Sequence, residues 1–126
     1  MHFRIYWKVL IWSLLMLMIF LAPSASLPDG PETPFFDKFI HIGIFAVFSF
    51  LLITAIMQHK GIISLRFPLI LNVLLYTLIF GSLIELAQSS MDLGREGDIY
   101  DLISDLVGYF LGLLGVFIFK KNKLRD

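Results

Sequence analysis

The chain contains no cysteine. That excludes a disulfide framework, a Cys-ligated zinc or iron–sulfur site and a thiol nucleophile. Charge is also scarce. Only 16% of the 126 residues are Asp, Glu, Lys or Arg, while 58% are hydrophobic. Soluble domains hold about 45–50% apolar and about 25% charged residues, so an ordinary soluble globule, a disordered segment and a nucleic-acid binder are all poor readings. Neither sign of charge is in excess, with ten Lys+Arg against ten Asp+Glu. Net charge therefore names no partner, and only its distribution can be informative. The chain also lacks repeats, low-complexity tracts, a Walker loop, a nucleophile elbow and a zinc-protease helix motif.

Four long apolar runs are present: Ile5–Ala22, Phe36–Met57, Leu69–Gln88 and Ile99–Phe119. A bilayer core of about 30 Å takes roughly 20 apolar helical residues. The runs are rich in Leu, Ile and Phe and lack the alternation of a membrane barrel. The expected fold is all-α: one domain over residues 1–126, built as a four-helix transmembrane bundle. Pro23, Pro28, Pro31 and Pro34 make the first connector irregular. The second is a turn around Gly61, and the third contains Gly94 and Gly97. The first run followed by Ala22, Ser24 and Ala25 has some features of a signal peptide. Its length, Pro23 at the cut, and Tyr6, Trp7 and Trp12 as interfacial anchors favour a retained span.

Four spans place Arg4, Lys8, Lys60, Arg66, Lys120, Lys121, Lys123 and Arg125 on one side, leaving Lys38 and Arg95 on the other. By the Lys/Arg bias both termini are expected in the cytoplasm. Nine of the ten acids, all but Asp126, fall at or near the opposite, outer face. The Lys120–Arg125 tail reads as an anchor near anionic lipid, and no nucleic-acid partner is expected.

Ionisable residues inside spans are costly, by at least about 2.5–3.5 kcal/mol near a helix centre, and so mark candidate functional positions. Asp37 and His41 share a helix face with Lys38 beside it. Glu85 and Gln88 share another, near Gly81, Ser82 and Ser89. Glu85 is expected to pair with a cation: Lys38, His41 or Arg95. In the last span, Asp98, Asp101, Asp105, Gly108, Gly112 and Gly115 follow one another at intervals of 3, 4, 3, 4 and 3. That is a single stripe, acidic in its outer half and glycine in its inner half. Its Gly108–Gly112 step suits close approach of another helix, and Arg95 can fold onto the same face. At about 1.5 Å per residue, His41, Glu85 and Asp105 come to similar depth. The expectation is an outward-open polar pocket formed by the second, third and fourth helices. Five carboxylates there face Lys38, Arg95 and His41, so the pocket holds a proton, binds a cation, or is an internally paired network that fixes helix register.

The ordered set Asp37-Lys38-x-x-His41, Glu85-x-x-Gln88 and Arg95-x-x-Asp98-x-x-Asp101-x-x-x-Asp105-x-x-Gly108 resembles the VanZ-like membrane proteins, over essentially the whole chain. Family members often carry Asn where this chain has Asp105, so this chain adds a carboxylate. The resemblance implies a small integral protein of the bacterial cytoplasmic membrane and a link to teicoplanin resistance, without implying a biochemical activity. Three functions compete. In the first, an accessory protein binds an outer-leaflet lipid or lipid-linked cell-wall intermediate, with Lys38 and Arg95 holding a phosphate or carboxylate. In the second, an enzyme acts on such a lipid with a divalent metal at His41, Glu85, Asp101 and Asp105; no other cofactor is evident. The third is an ion-coupled transport component.

Overall fold

The structure, a computed structural model, describes residues 3–26, 35–92 and 97–123. Four helices account for nearly all of them: α1 (Phe3–Phe20), α2 (Phe36–Lys60), α3 (Phe67–Ser90) and α4 (Ile99–Lys123), with a single 3-10 turn at Ser24–Ser26. All four are long and apolar enough to cross a membrane, as expected for an all-α multi-pass protein. Arg95, the connector residues Pro28, Pro31 and Pro34, and Gly94 lie outside the described residues.

The helices overrun the apolar runs in places, for local reasons. α2 continues to Lys60 because its polar last residues can remain helical at an interface. It stops where Gly61 takes a left-handed φ of 61°. The Ile62 N–H then reaches the Met57 carbonyl at 2.9 Å, a glycine-terminated helix end. α3 begins two residues before Leu69, with Pro68 in its first turn, where a missing N–H costs no helical bond. α1 ends at Phe20, three residues short of Pro23.

The helices run antiparallel in sequence. The Tyr6 ring lies 5.6 Å from the His59 ring, so α1 starts where α2 ends. At the far end of α1, Phe20 stacks 4.4 Å from His41. α2 is central and contributes to two apolar clusters. One joins Val9, Met16 and Phe20 to Phe45, Phe48 and Ile84. The other joins Ile53 and Met57 to Leu69, Val73, Tyr109 and Val116. Long apolar side chains cover the outside, among them Met18 at 70% exposed, Leu86 at 63% and Phe117 at 59%. That arrangement suits lipid and would be an aggregation liability in water.

α4 lies against α2 through its glycines. A Cβ on Gly108 would come 2.5 Å from the Ile42 carbonyl oxygen, and one on Gly112 would come 2.5 Å from that of Ala46. The absence of those two side chains is what allows the backbones to approach. Gly115 has more room, meeting only the edge of the Phe50 ring at 3.3 Å. The three expected packing glycines therefore do face a neighbouring helix.

Candidate functional site

The acidic half of the α4 stripe continues the glycine seam, and it meets α2 and α3 at one end of the bundle. Asp101 is 3% exposed, Asp105 1% and His41 0%. The His41 Nδ1–H donates to Asp105 Oδ1 at 2.7 Å. The second oxygen, Asp105 Oδ2, lies over Gly81 of α3, where a Cβ would sit 2.6 Å from it. Gly81 thus provides the space in which Asp105 is buried. The Asp105 carboxylate is therefore the group that holds His41.

Lys38 and Asp98 organise the rim. Lys38 Nζ bonds Asp98 Oδ2 at 3.0 Å and pairs with Asp101 Oδ1 at 2.7 Å. Asp98 precedes α4 and caps it, accepting the Tyr100 N–H at Oδ1 over 2.9 Å. That backbone bond, with the Lys38 ammonium beside it, holds the Asp98 carboxyl below the usual carboxylate range. Lys38 is therefore held by two carboxylates. It is not a free cation waiting for an anionic ligand.

Glu85 departs from expectation. No cation pairs with it among the described residues. Its Oε2 instead accepts the backbone N–H of Asp98 at 2.8 Å, and the neighbouring Ser89 Oγ accepts the Gly97 N–H at 3.1 Å. The end of α3 thereby positions the start of α4 through backbone groups that a helix leaves without internal partners. A residue pattern cannot show this, because every residue except proline carries the same donor. Gln88 also differs in role. It is buried and its Nε2–H donates to the Phe20 carbonyl oxygen at 2.9 Å, joining α3 to α1 instead of adding to the acidic group.

Phe20 is the residue that sequence reasoning did not single out. It is fully buried, stacks on His41 at 4.4 Å and lies 6.1 Å from Phe45. The expected three-helix site is thus closed by a ring from α1. An aromatic at the end of an apolar run carries no signal that would distinguish it. His41, Asp101 and Asp105 are almost wholly buried, so among the described residues these groups pack on one another.

Within that cluster four buried atoms have no hydrogen-bond partner among the described residues: His41 Nε2, Glu85 Oε1, Asp101 Oδ1 and Asp105 Oδ2; of these, Asp101 Oδ1 is ion-paired with Lys38. Ligand atoms of His41, Glu85 and Asp105 lie within 4.8 Å of one another, as do those of Asp37, His41 and Asp101. His41 Nε2 faces Asp101 Oδ2 at 3.8 Å and Asp37 Oδ2 at 3.9 Å. These gaps are too long for hydrogen bonds, yet short enough for one ion to touch both sides. The described residues of the site are Asp37, Glu85, Asp98, Asp101 and Asp105 against Lys38 and His41. They favour a cationic or hydroxyl-bearing ligand over an anionic one. Arg95 lies outside the described residues.

Compared with family models, with curated proteins and with solved structures, the chain matches none.

Proposed function

We propose that this chain is a VanZ-like integral membrane protein of the bacterial envelope. Its polar cluster engages the headgroup region of a lipid or lipid-linked cell-wall intermediate at the extracytoplasmic face, and so alters susceptibility to glycopeptides such as teicoplanin. The outward placement rests on the Lys/Arg excess at the opposite end of the spans. The observation that carries the reading is the set of buried, unpartnered acceptors on Glu85 and Asp105 beside His41. Buried polar groups left without partners are costly, and a ligand that donates hydrogen bonds to them is correspondingly favoured.

The geometry revises the chemistry of recognition. Lys38 is occupied by Asp98 and Asp101, so the contacts run through carboxylates to sugar hydroxyls or to an ammonium group. The test is native mass spectrometry of gently extracted protein, together with teicoplanin susceptibility. Glu85→Gln is the informative variant, because its amide oxygen can still accept the Asp98 N–H while the second acceptor becomes a donor. Wild type is expected to carry a lipid-linked saccharide or amine-bearing lipid that Glu85→Gln loses, with susceptibility changing in parallel. Equal retention by the two proteins, or no such species on either, overturns the reading.

A second reading is a metal-assisted enzyme on the same class of substrate, and one arrangement favours it. His41 Nδ1 lies 2.7 Å from Asp105 Oδ1, and in the neutral tautomer that donates from Nδ1 the Nε2 lone pair would point between Asp37 and Asp101. A carboxylate behind a ligating imidazole is the usual outer partner of a metal-bound histidine. Bonds of about 2.0–2.2 Å would span the gaps. Stoichiometric divalent metal in purified protein, lost in His41→Gln, would support this reading, and metal-free protein with unchanged function would eliminate it. An ion-coupled transporter is less well supported. Beyond the cluster, α4 continues as glycines packed on α2 backbone, with no line of ionisable groups among the described residues.

A further inference from the structure

The opposite end of the bundle holds a cavity of about 460 Å³, formed by α1, α2, the turn at Gly61 and the start of α3. Its polar lining is Lys60, Arg66, Asn72, Tyr6 and Tyr76, and no carboxylate lines it. Neither Lys60 nor Arg66 has an ion-pair partner among the described residues, and both are exposed. The α3 N-terminus, with Arg66 at its cap position, has no acidic residue in its first turn and no side-chain cap, which adds partial positive charge to the same rim. Below the rim the wall is apolar, with Leu52, Ile56 and Leu69. Leu52 lies eight residues from Lys60 along α2, so at 1.5 Å per residue the cavity runs about 12 Å into the span.

The neighbouring cavity across the same turn is larger, about 740 Å³, but differs in one respect. Its only lysine, Lys120, is bonded to the Ile63 carbonyl oxygen. Only the smaller cavity combines unpaired cations, phenol and amide donors, and an apolar wall that descends into the membrane. Basic pockets between spans at this depth suit anionic headgroups, and tyrosines at such a level have their rings in hydrocarbon and hydroxyls in the interface.

We infer that the cavity bounded by Lys60, Arg66, Asn72 and Tyr76 is a binding site for one anionic glycerophospholipid of the adjacent leaflet, its phosphate on the two cations and an acyl chain along Leu52 and Leu69. The site is independent of the His41 cluster, and the two can fail separately.

Native mass spectrometry of the full chain in mild detergent tests it with three probes: phosphatidylglycerol, phosphatidylcholine and inorganic phosphate. With about five-fold in affinity for each cation near the surface, phosphatidylglycerol should bind roughly 25-fold tighter than the double variant Lys60→Gln/Arg66→Gln allows. Phosphatidylcholine binding should be weak in both proteins. Lys121→Gln removes an exposed cation that lies outside the cavity, and it should leave binding unchanged. Tyr76→Phe, which keeps the ring, should weaken binding less than the double variant does. The proposal is overturned by equal binding of the two lipids, by a double variant that retains the preference, or by Lys121→Gln losing as much as the double variant. Inorganic phosphate that binds alone and displaces the lipid would assign the cavity to a free anion and would also overturn it.

Discussion

One face of α4 is buried against α2 along most of its length, yet its two halves are buried by opposite means. Toward the middle, Gly108 and Gly112 bring backbone to within contact of the Ile42 and Ala46 carbonyls. Toward the start, Asp101 and Asp105 insert charged side chains among Lys38 and His41. In lipid, apolar burial does not drive helices together, so association depends on close packing and polar contacts. The glycine half is intolerant of added atoms. The acidic half is intolerant of lost partners.

The largest effect is expected in the glycine half. Gly112→Leu forces atoms into the Ala46 backbone, which cannot move aside as a side chain would. A loss of about 3 kcal/mol is expected in reversible unfolding in mixed micelles. Gly115→Ala meets only the Phe50 ring edge and should cost less than about 1 kcal/mol. Equal costs for the two would remove the distinction between the Gly112 contact and its neighbour.

A deletion in the acidic half should be of similar size. Asp105→Leu strands the fully buried His41 and should cost about 3 kcal/mol. Asp105→Asn keeps an acceptor for the His41 N–H and should recover most of that loss. If Asn is as damaging as Leu, charge matters here beyond the hydrogen bond. Lys38→Met should follow at about 1–2 kcal/mol, because its side chain is 22% exposed and partly solvated. Adding Asp101→Asn should reduce the penalty, which a double-mutant cycle would read as coupling.

The smallest effect concerns acid. The Asp98 carboxyl is held below its ordinary value by the Tyr100 N–H and Lys38. Its stabilising contribution is therefore present above the unfolded value, about 3.9, and is lost as pH falls through the lower folded value. Unfolding midpoints below about pH 4 should fall less steeply in Asp98→Asn than in wild type. Identical acid limbs would show that the cap does not stabilise α4.

Much of this was legible before any coordinates. Span length follows from local hydropathy, and the Asp98–Gly115 stripe follows from helical period, so both could be read along one strand of text. Asp101 and Asp105 do turn inward, where the pattern places them, while Asp98 stays at the rim. Glu85 shows where reading stops. Its expected partner was a cation, but its observed partner is the Asp98 N–H. The pattern offers Lys38 to Glu85 or to an anionic ligand, yet two carboxylates from the start of α4 hold it. Phe20 gave no signal at all.

Four apolar helices and the inward face of the fourth were determined by sequence alone, because hydrophobicity and a period of 3.6 residues act within one helix. Which donor meets which acceptor was decided only by tertiary structure. Pairing depends on the rotation and height of one helix against another. Those offsets depend on where Gly81, Gly108 and Gly112 let neighbouring helices approach.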